Sequence, residues 1–380
     1  MTSLPLVTIV IPTYNYGRFV EEAVRSAAAQ THPNTEIILV DDGSTDDTAV
    51  KLEGLRSEIQ NLRVIATEHQ GVSRARNCGT RAGRGQYVAY LDADDLWHPT
   101  KIEKQVLAMQ KHANDPEWGA VYCLFRPIDE NARVVASAPA LETRGYFFAR
   151  HLAMNPIGTG SGIMVRRDLM LELGGFDPSL SYCEDLDAQL RVSKHHKIEL
   201  VREYLVGYRK HSGSASQHHL KMAHAALKVL GQYASDPAIP EELQRATYTA
   251  AQRYTWFKYL KGGKRFKAFQ TLSRALMAEP RTTFDGLMTQ AVPSIRRRVV
   301  AAKKLVTLDA RPNTPHFYDL APSDGVTLRE PPALARLAAR FKQFDVQMYE
   351  RFVTAPDDEK MGDRAEEETG LMHSERVSPF

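Results

Sequence analysis

Cysteines and long apolar runs are scarce in this sequence, and each scarcity excludes a class of protein. Only three cysteines, Cys78, Cys123 and Cys183, occur in 380 residues, and no two have the spacing of a CxxC pair. An odd number of widely separated cysteines argues against a disulfide scaffold or a cysteine-rich metal centre and fits a reducing compartment. No apolar stretch reaches the roughly 18 residues of a transmembrane helix. The apolar run that begins at Leu6 lacks the basic flank of a signal peptide.

A large charge of one sign is also missing. The 49 Lys and Arg residues nearly balance the 46 Asp and Glu residues, which leaves a formal net charge of +3. This balance argues against a polycation that binds nucleic acid, so we expect no nucleic-acid partner. Hydrophobic residues make up 43% and charged residues 25%, which is typical of a folded globular protein. Together with the cysteine content, these figures predict a cytoplasmic protein.

Buried strands and amphipathic helices alternate along the first part of the chain. Strands are predicted at 6–11, 37–40, 62–66 and 87–91, and helices at 19–29, 48–59 and 72–82, with Ser44 or Thr45 as the cap of the second helix. Further strands are predicted near 120–125, 162–165 and 201–208, with a helix at 184–195. Strands that alternate with helices form a parallel sheet covered on both faces, so the pattern predicts an α/β fold.

The pattern becomes helical beyond about residue 216, with predicted helices at 219–234, 240–261 and 264–278. Residues 251–310 hold 13 Lys and Arg residues against 3 Asp and Glu residues, and they include Arg296–Arg298 and Lys303-Lys304. Two interpretations stay open: this basic region docks on anionic lipid, or it is a solvated helical face. Residues 355–380 hold 8 acidic against 3 basic residues without apolar periodicity, which predicts a disordered tail.

Three acidic clusters follow predicted strands or turns, where ligands of α/β sheets bind. They are Asp41–Asp47, Asp92–Asp95 and Glu184-Asp185. Carboxylates held this closely repel one another unless a divalent cation or hydrogen-bond donors neutralise them. Asp92 and Asp94 point to the same side if their backbone is extended, which suits Mg²⁺ or Mn²⁺. The alternative is that each cluster caps a helix or forms an Asx-turn.

Seven segments that include these clusters resemble the motifs of family 2 glycosyltransferases, which have the GT-A fold. They are residues 7–15, 38–46, 71–77, 90–95, 174–177, 184–185 and 208–211, and their order and spacing match those of the family over about residues 5–216. The resemblance implies a Rossmann-like, mostly parallel sheet with helices on both faces. It implies a catalytic domain, 1–216, after which the residue pattern predicts a basic helical region, 217–310, and an extension, 311–380.

The resemblance also implies where a nucleotide-diphospho-sugar donor binds. Pro12, Tyr14 and Asp42 match positions that hold the nucleotide: Tyr14 would stack on the base and Asp42 would accept a base N–H, while Asp41 would support the turn. Asp92 and Asp94 match the Asp-X-Asp motif. Asp94 would ligate the metal that bridges the diphosphate, and Asp92 would contact ribose or metal. Asp95 would support the site or cap the helix after Pro99.

Further residues complete the implied site. Asp185 matches the general base, which takes the proton of the acceptor hydroxyl, and Glu184 beside it would contact acceptor or sugar. His211 matches a ligand of the metal or the diphosphate. Arg209 or Lys210 would steady the departing diphosphate. Arg74 and Asn77 would face the donor sugar or phosphates, or else lie on the helix surface.

The implied activity is inverting transfer of a single sugar. Processive members of the family often carry a Gln-X-X-Arg-Trp motif and several membrane helices, whereas here Gln189 is followed by Leu190, Arg191 and Val192. The resemblance therefore implies a hexosyltransferase, with a UDP-hexose as the expected donor and a saccharide or lipid-linked acceptor. Cell-surface polysaccharide or lipopolysaccharide synthesis is the expected pathway class. The expected location is cytoplasmic, with peripheral contact at the inner face of the membrane through 251–310.

Two other classes remain as alternatives. A sugar-1-phosphate nucleotidyltransferase would use a related sheet, but it would carry a glycine-rich loop after the first strand, and residues 12–18 contain the single glycine Gly17. A catalytically silent binding module would keep the fold without the metal carboxylate or the base. The presence of Asp94, Asp185 and His211 argues against that module.

Overall fold

The computed structural model describes residues 4–136, 143–281, 283–284, 287, 314–324 and 332–354. Its first part alternates strands and helices as predicted. The elements are β1 Val7–Thr13, α1 Val20–Ala28, β2 Thr35–Asp41, α2 Thr48–Glu58, β3 Leu62–Ala66, α3 Val72–Ala82 and β4 Tyr87–Tyr90. Each is within three residues of its predicted bounds, because apolar runs bounded by turn residues and periodic apolar faces are strong patterns.

The middle part mixes short and long elements. They are β5 Leu96–Trp97, α4 Lys101–Gln110, β6 Trp118–Ile128, α5 Phe148–Met154, β7 Ile163–Arg166, α6 Arg167–Glu172, α7 Glu184–His195 and β8 Lys197–Arg209. The C-terminal helices are α8 His219–Ala234, α9 Glu241–Lys261, α10 Arg265–Ala278 and α11 Pro332–Tyr349. α8, α9 and α10 start and end within one residue of the prediction, whereas β8 begins four residues before the predicted Val201.

The strands form one sheet of eight, in the order β3-β2-β1-β4-β7-β6-β8-β5. β3, β2, β1 and β4 are mutually parallel, and β6 is parallel to β8. β7 is antiparallel to both of its neighbours, and β5 is antiparallel to β8. The α/β prediction is confirmed, with a reversal of strand direction at β7 that makes the sheet mixed. The carboxyl ends of β1, β2 and β4 therefore meet at one edge.

Helices cover both faces of this sheet, which explains why its central strands β1 and β4 are mainly apolar and buried along their whole length. Ile9 and Ile11 of β1 pack in a core with α1, α2 and α4, whereas Val10 between them packs on the opposite face. That second face also packs against α6 and α7, and Ala75 of α3 packs on the neighbouring strand β2. Alternate side chains of a strand point to opposite faces, so both layers are anchored by the same strands.

The loop before α2 differs from the prediction. Neither Ser44 nor Thr45 caps this helix. Instead Asp46 accepts a hydrogen bond from the backbone N–H of Thr48 at 3.0 Å and another from the N–H of Gly17 at 3.0 Å. The Asp46 carboxylate therefore joins the start of α2 to the loop after β1.

The C-terminal helices share a core with the sheet domain. Leu243 and Ala246 of α9 pack in one apolar cluster with Phe148 of α5, Leu190 of α7 and Phe341 of α11. This cluster places α8 and α9 beside the first turn of α7, where the third acidic cluster lies. The boundary predicted at residue 216 is therefore crossed by a continuous core.

The described part of 311–380 packs back onto the sheet domain. The backbone of Val134 donates to Pro315 O at 3.0 Å, and that of Tyr204 donates to Pro322 O at 2.9 Å. In α11, Asp345 accepts a hydrogen bond from Arg150 at 2.5 Å. The predicted disordered tail, 355–380, and the basic clusters Arg296–Arg298 and Lys303-Lys304 lie outside the described residues. Among the described residues, no helix combines the length and apolar character needed to cross a bilayer.

Candidate functional site

A cavity of about 920 Å³ lies where the carboxyl ends of β1, β2 and β4 meet the start of α7. Seven of the predicted site residues line it: Pro12, Tyr14, Asp42, Asp92, Asp94, Glu184 and Asp185. Tyr208 and Gly213, on either side of the segment that carries Lys210 and His211, line it as well. The three acidic clusters, far apart in sequence, thus meet in one place. This convergence follows from the strand directions, because parallel strands end at the same edge.

Tyr14 and Asp42 lie together at one end of the cavity, joined by His69. The Tyr14 and His69 rings stack, with centroids 3.9 Å apart and planes at 21°. His69 Nδ1 lies 2.8 Å from Asp42 Oδ2. The buried Asp42 carboxylate also accepts the backbone N–H groups of Gln70 and Gly71 at 2.9 and 2.8 Å. A flat ring therefore already stacks on Tyr14 beside a carboxylate, as a nucleobase would.

Arg76 neutralises part of the acidic cluster. Its buried guanidinium donates from Nη1 to Glu184 Oε1 at 2.7 Å and from Nη2 to Asp92 Oδ1 at 2.5 Å. Burial by itself would lower the pKa of Arg76, but the charges of Asp92, Glu184 and Asp185 outweigh burial and raise that pKa. Arg76 therefore stays charged. The repulsion that the sequence implies between these carboxylates is relieved by a cation of the chain itself.

Asp94 and His211 form the second charged contact of the cavity. His211 Nε2 lies 2.9 Å from Asp94 Oδ2. Burial raises the pKa of Asp94, the hydrogen bond from His211 opposes that rise, and the charge of Asp92 adds to it. Tyr16 packs edge-on against His211 at 5.9 Å, and burial followed by the charge of Asp94 raises its pKa. This corner of the cavity thus favours a positive charge.

The donor atoms of this corner fit a cation that is shared with a substrate. Among the described residues, no three His, Cys, Asp or Glu side chains lie close enough to form a metal site by themselves. Asp94 and His211 together offer a carboxylate oxygen and an imidazole nitrogen. Mg²⁺ and Mn²⁺ favour carboxylate oxygens, and Mg²⁺ usually keeps positions for water and substrate phosphate oxygens. Asp92 is engaged by Arg76 and would have to release it to join them.

The backbone of the Asp-X-Asp segment is a turn, so the condition under which Asp92 and Asp94 would point to the same side, an extended backbone, is not met. The N–H of Asp95 donates to the carbonyl of Asp92 at 3.0 Å. Asp95 is fully buried and accepts hydrogen bonds from Ser161 Oγ at 2.6 Å and the Arg209 N–H at 2.9 Å. Burial, with the charges of Asp94 and Asp92, raises the pKa of Asp95 well above its usual value. Asp95 supports the turn, and its predicted role as a helix cap is wrong.

Asp185 lies in the first turn of α7 and accepts the N–H of Leu186 at 2.8 Å. Burial, and next the charge of Glu184, raise its pKa to about 7, while the charge of Arg76 opposes this rise. A carboxyl group with a pKa near neutrality can take a proton and return it at the pH of a cell. Glu184, by contrast, is committed to Arg76 through its Oε1.

Three of the residues predicted to contact the donor have side chains that lie away from the cavity. Arg74 is exposed and donates to Gln70 at 2.9 Å. Asn77 is buried and exchanges hydrogen bonds with the backbone of Phe176 at 2.7 and 2.8 Å, so it holds the turn before α7. The Arg209 guanidinium is buried and donates to Asp94 O, Glu130 O and the Glu22 carboxylate. None of these three side chains is among the residues that line the cavity.

Gly79 is the sequence feature that could have identified Arg76, in place of Arg74, as the arginine that faces the sheet and the site. Gly79 faces β1 so closely that a Cβ there would lie 2.4 Å from Val10 Cγ1. Residues three apart share one face of a helix, so Arg76 lies on the same side as Gly79, toward the sheet. Arg74 then lies on the solvent side. His69 had no comparable feature, because it lies in a loop.

Comparisons with solved structures identify the fold. The structure of Staphylococcus aureus TarS 1–349 in complex with UDP-GlcNAc superposes with a TM-score of 0.55 at 17% identity and covers 74% of this chain and 83% of that one. Mannosyltransferase PcManGT from Pyrobaculum calidifontis, in complex with GDP-Man and Mn²⁺, superposes with a TM-score of 0.52 at 21% identity. That match covers 90% of this chain and 88% of the other. The fold is thus one that glycosyltransferases use.

Sequence comparisons identify the family. Residues 8–173 match the family model described as glycosyl transferase family 2. An uncharacterised glycosyltransferase of Rickettsia typhi is 30% identical over 218 residues, which are 57% of this chain and 67% of that protein. The chondroitin synthase of Escherichia coli is 26% identical over 268 residues, 67% of this chain and 37% of the other. The chain belongs to glycosyltransferase family 2.

Proposed function

We propose that this protein transfers a single sugar from a nucleotide-diphospho-sugar to a hydroxyl group of a saccharide or glycolipid acceptor, with inversion at the anomeric carbon. A UDP-hexose is the first donor to test. The observation that carries the proposal is that Asp42, Asp92, Asp94 and Asp185 line one cavity although they come from three separate segments. Folding alone does not require four carboxyl groups around one cavity.

The donor would extend from the Tyr14 end of the cavity toward α7. Its base would stack on Tyr14 with an N–H directed at Asp42, after His69 has left that face. Asp94 and His211, with Asp92 as a further ligand, would hold Mn²⁺ or Mg²⁺ against the diphosphate. When bound, such a cation neutralises the charge that develops on the leaving nucleoside diphosphate.

The chemical step is a displacement in which Asp185 acts as the base. An acceptor oxygen forms a bond to the anomeric carbon while the bond from that carbon to the diphosphate oxygen breaks. The electron pair of the broken bond leaves with the nucleoside diphosphate, and the acceptor proton moves to Asp185. Since burial and Glu184 raise the pKa of Asp185 to about 7, its carboxylate is basic enough to accept this proton.

We further propose a role in the synthesis of a cell-surface polysaccharide or lipopolysaccharide. The support is the relation to chondroitin synthase, whose name states that it makes a polysaccharide. The shared part of that protein is 37% of its length, so the relation concerns one domain. The folding of α8 and α9 onto the catalytic cavity supplies a separate wall on which an acceptor could be selected.

A donor-binding screen tests the proposed function. Thermal unfolding would be followed with UDP-, GDP-, dTDP- and CMP-sugars, each with Mn²⁺, with Mg²⁺ and with EDTA. We expect one nucleotide to raise the melting temperature only with metal, and Asp94→Asn to abolish that rise. Asp47→Asn is the matched control, because Asp47 lies in the first acidic cluster but is exposed and paired with Lys51. A folded protein that no donor stabilises would contradict the proposal and favour a silent module.

We also propose that α10 contacts an anionic membrane surface, where a lipid-linked acceptor would be presented. Phe266, Phe269 and Met277 are 73%, 67% and 78% exposed, so three large apolar side chains lie on the surface of this one helix. Lys264 and Lys267 flank them and are exposed as well. Apolar side chains beside lysines are typical of helices that lie in the membrane interface.

Vesicle flotation tests this contact. We expect the protein to float with phosphatidylglycerol vesicles, less with phosphatidylcholine vesicles, and to lose flotation when Phe266→Ser and Phe269→Ser are combined. Val50→Ser on α2 is the control, because Val50 is 77% exposed but lies on another helix. Equal flotation of both serine variants would contradict the proposal.

A further inference from the structure

The cavity continues beyond Asp185 into a second lobe formed by the helices. Its wall is largely apolar and comes from α5, α8 and α9, with Leu152, Met222, Ala226, Leu230 and Ala250 among its lining residues. Two cationic side chains, Arg253 and Lys258, also line this lobe. They are one and a half turns apart on α9, and both are buried. The second lobe thus combines an apolar wall with buried positive charge.

Arg253 has unused hydrogen-bond donors in this position. It donates from Nη2 to Ala153 O at 3.1 Å, at the end of α5. Its Nε and Nη1 atoms are buried and have no hydrogen-bond partner among the described residues. Burial lowers the pKa of Arg253 to about 10, so the side chain remains charged at neutral pH. A buried charge without a counter-charge is unfavourable, which is a reason to expect that a ligand supplies it.

Lys258 reinforces this interpretation. Its Nζ lies 3.4 Å from Ser216 O, a long contact with a neutral group. Burial lowers the pKa of Lys258 to about 8. In the part of the chain that the structure describes, no carboxylate forms a salt bridge with Arg253 or Lys258. Asp92 and Asp94 of the cavity pair instead with Arg76 and His211.

We propose that Arg253, assisted by Lys258, binds an anionic group of the acceptor, either a carboxylate or a phosphate carried by a saccharide. Nε and Nη1 each keep a free N–H, and each can donate a charge-assisted hydrogen bond to an oxygen of such an anion. The apolar wall would cover the less polar face of the sugar ring. This proposal names the acceptor class for the proposed function and rests on it.

Position assigns the anion to the acceptor and not to the donor. Arg253 reaches Ala153 in α5, whereas the Tyr14 end of the cavity is built from the loops after β1 and β2. Tyr254, next to Arg253, lies near the base: burial, then Cys183 and Asp185, raise its pKa. The second lobe therefore lies on the α7 side of the cavity, where the acceptor must be for Asp185 to take its proton.

Sugar titrations on the intact chain test the proposal. Methyl β-D-glucuronide, glucose 6-phosphate and methyl β-D-glucoside would be titrated by calorimetry without donor, so the result does not depend on donor binding. We expect at least one anionic sugar to bind about 10-fold or more tightly than the neutral glucoside, as charge-assisted hydrogen bonds provide. Preference for the glucuronide would identify a carboxylate as the natural group, and preference for the phosphate would identify a phosphate.

Two variants of Arg253 test whether this side chain causes the preference for anionic sugars. Arg253→Met is expected to reduce the preference for the anionic sugar to less than about 2-fold, and Arg253→Lys to retain part of it. Arg245→Met is the matched control on the same helix, because Arg245 is exposed and pairs with Glu241. Arg253→Met should not lower the melting temperature by more than the control does, since it removes an unpaired buried charge.

The outcomes separate this proposal from the proposed function. Equal binding of charged and neutral sugars by the wild type would overturn it, whether or not the variants fold. Retained anion preference in Arg253→Met would also overturn it. Weaker stabilisation by nucleotide sugar and metal in Arg253→Met, with anion preference intact, would assign Arg253 to the donor diphosphate and overturn it too. The donor screen in the same preparations reports independently on the proposed function.

Discussion

Arg76 donates a hydrogen bond to Glu184 at 2.7 Å across 108 residues of sequence. The bond ties the middle of α3 to the first turn of α7, and the same guanidinium reaches Asp92 after β4. These two bonds hold together α3, which carries the cation, and the two acidic clusters that follow β4 and begin α7. The shape of the cavity, and the pKa of Asp185 within it, depend on this one side chain.

Arg76→Met should destabilise the protein strongly. Removing one partner of a buried ion pair leaves the other charge uncompensated and costs about 3–5 kcal/mol. Urea unfolding would measure the loss. Arg74→Met is the matched control, because Arg74 is exposed on the same helix, and its effect should stay within about 0.5 kcal/mol. Similar losses for both variants would show that the contacts of Arg76 contribute little.

The rate of glycosyl transfer should fall as the pH decreases through about 7. Asp185 must be deprotonated to act as the base, and its pKa is raised to about 7 by burial and by Glu184. The pH dependence of kcat/KM would report this pKa. Asp185→Asn should lose about 10²–10⁴-fold in rate, whereas Asp168→Asn, in the exposed first turn of α6, should lose almost none. A flat profile between pH 6 and 8 would exclude Asp185 as the titrating base.

Asp185 should also affect the stability of the fold. Its charged form, which the reaction requires, is the form that destabilises the folded protein. The pKa of Asp185 is higher in the folded state than the value of about 3.9 expected when unfolded. Folding therefore favours the protonated form, and this contribution is lost as the pH rises from about 4 to 7. Asp185→Asn should raise the melting temperature at pH 8, by about 1–2 °C for each kcal/mol relieved, and much less at pH 4. A lower melting temperature at pH 8 would contradict burial as the cause of the raised pKa.

Tyr14 should contribute to nucleotide affinity through stacking. Tyr14→Ala is expected to weaken binding of the nucleoside diphosphate by about 1–3 kcal/mol, the usual contribution of an aromatic platform. His69→Ala should bind at least as tightly as the wild type, because His69 stacks on the face of Tyr14 that the base would use. Calorimetry would measure both affinities. Tyr248→Ala, an exposed tyrosine of α9, is the control. Unchanged affinity in Tyr14→Ala would place the base elsewhere.

Most of the fold could be predicted from the sequence, because its patterns are local. The uninterrupted apolar character of β1 and β2 indicated strands covered on both faces, and α8 to α10 followed from helix-forming residues. α11 and the segment 314–324 were missed. Their contacts, such as Tyr204 to Pro322 and Arg150 to Asp345, join residues more than 100 positions apart and leave no local pattern.

The candidate site was predictable to a lesser degree. Carboxylates that follow strands could be found, since the strand ends fix their position. The faces to which charged side chains of a helix turn could not be assigned as easily, and Arg74 was chosen in place of Arg76. Asp92 and Asp94 were expected on the same side if their backbone is extended, but this segment forms a turn, in which the buried carboxylate of Asp95 accepts hydrogen bonds from Ser161 and Arg209. Buried polar contacts, which hydrophobic periodicity does not reveal, therefore determine these two features of the site.

The release of nucleoside diphosphate from the donor identified in the screen tests the central claim most directly. Three proteins would be compared with donor, metal and a mixture of saccharide acceptors: the wild type, Asp185→Asn and Asp94→Asn. We predict that the wild type releases nucleoside diphosphate, that Asp185→Asn binds the donor without releasing it, and that Asp94→Asn does neither. Release by Asp185→Asn at the wild-type rate would contradict the account, because the acceptor proton would then have another destination.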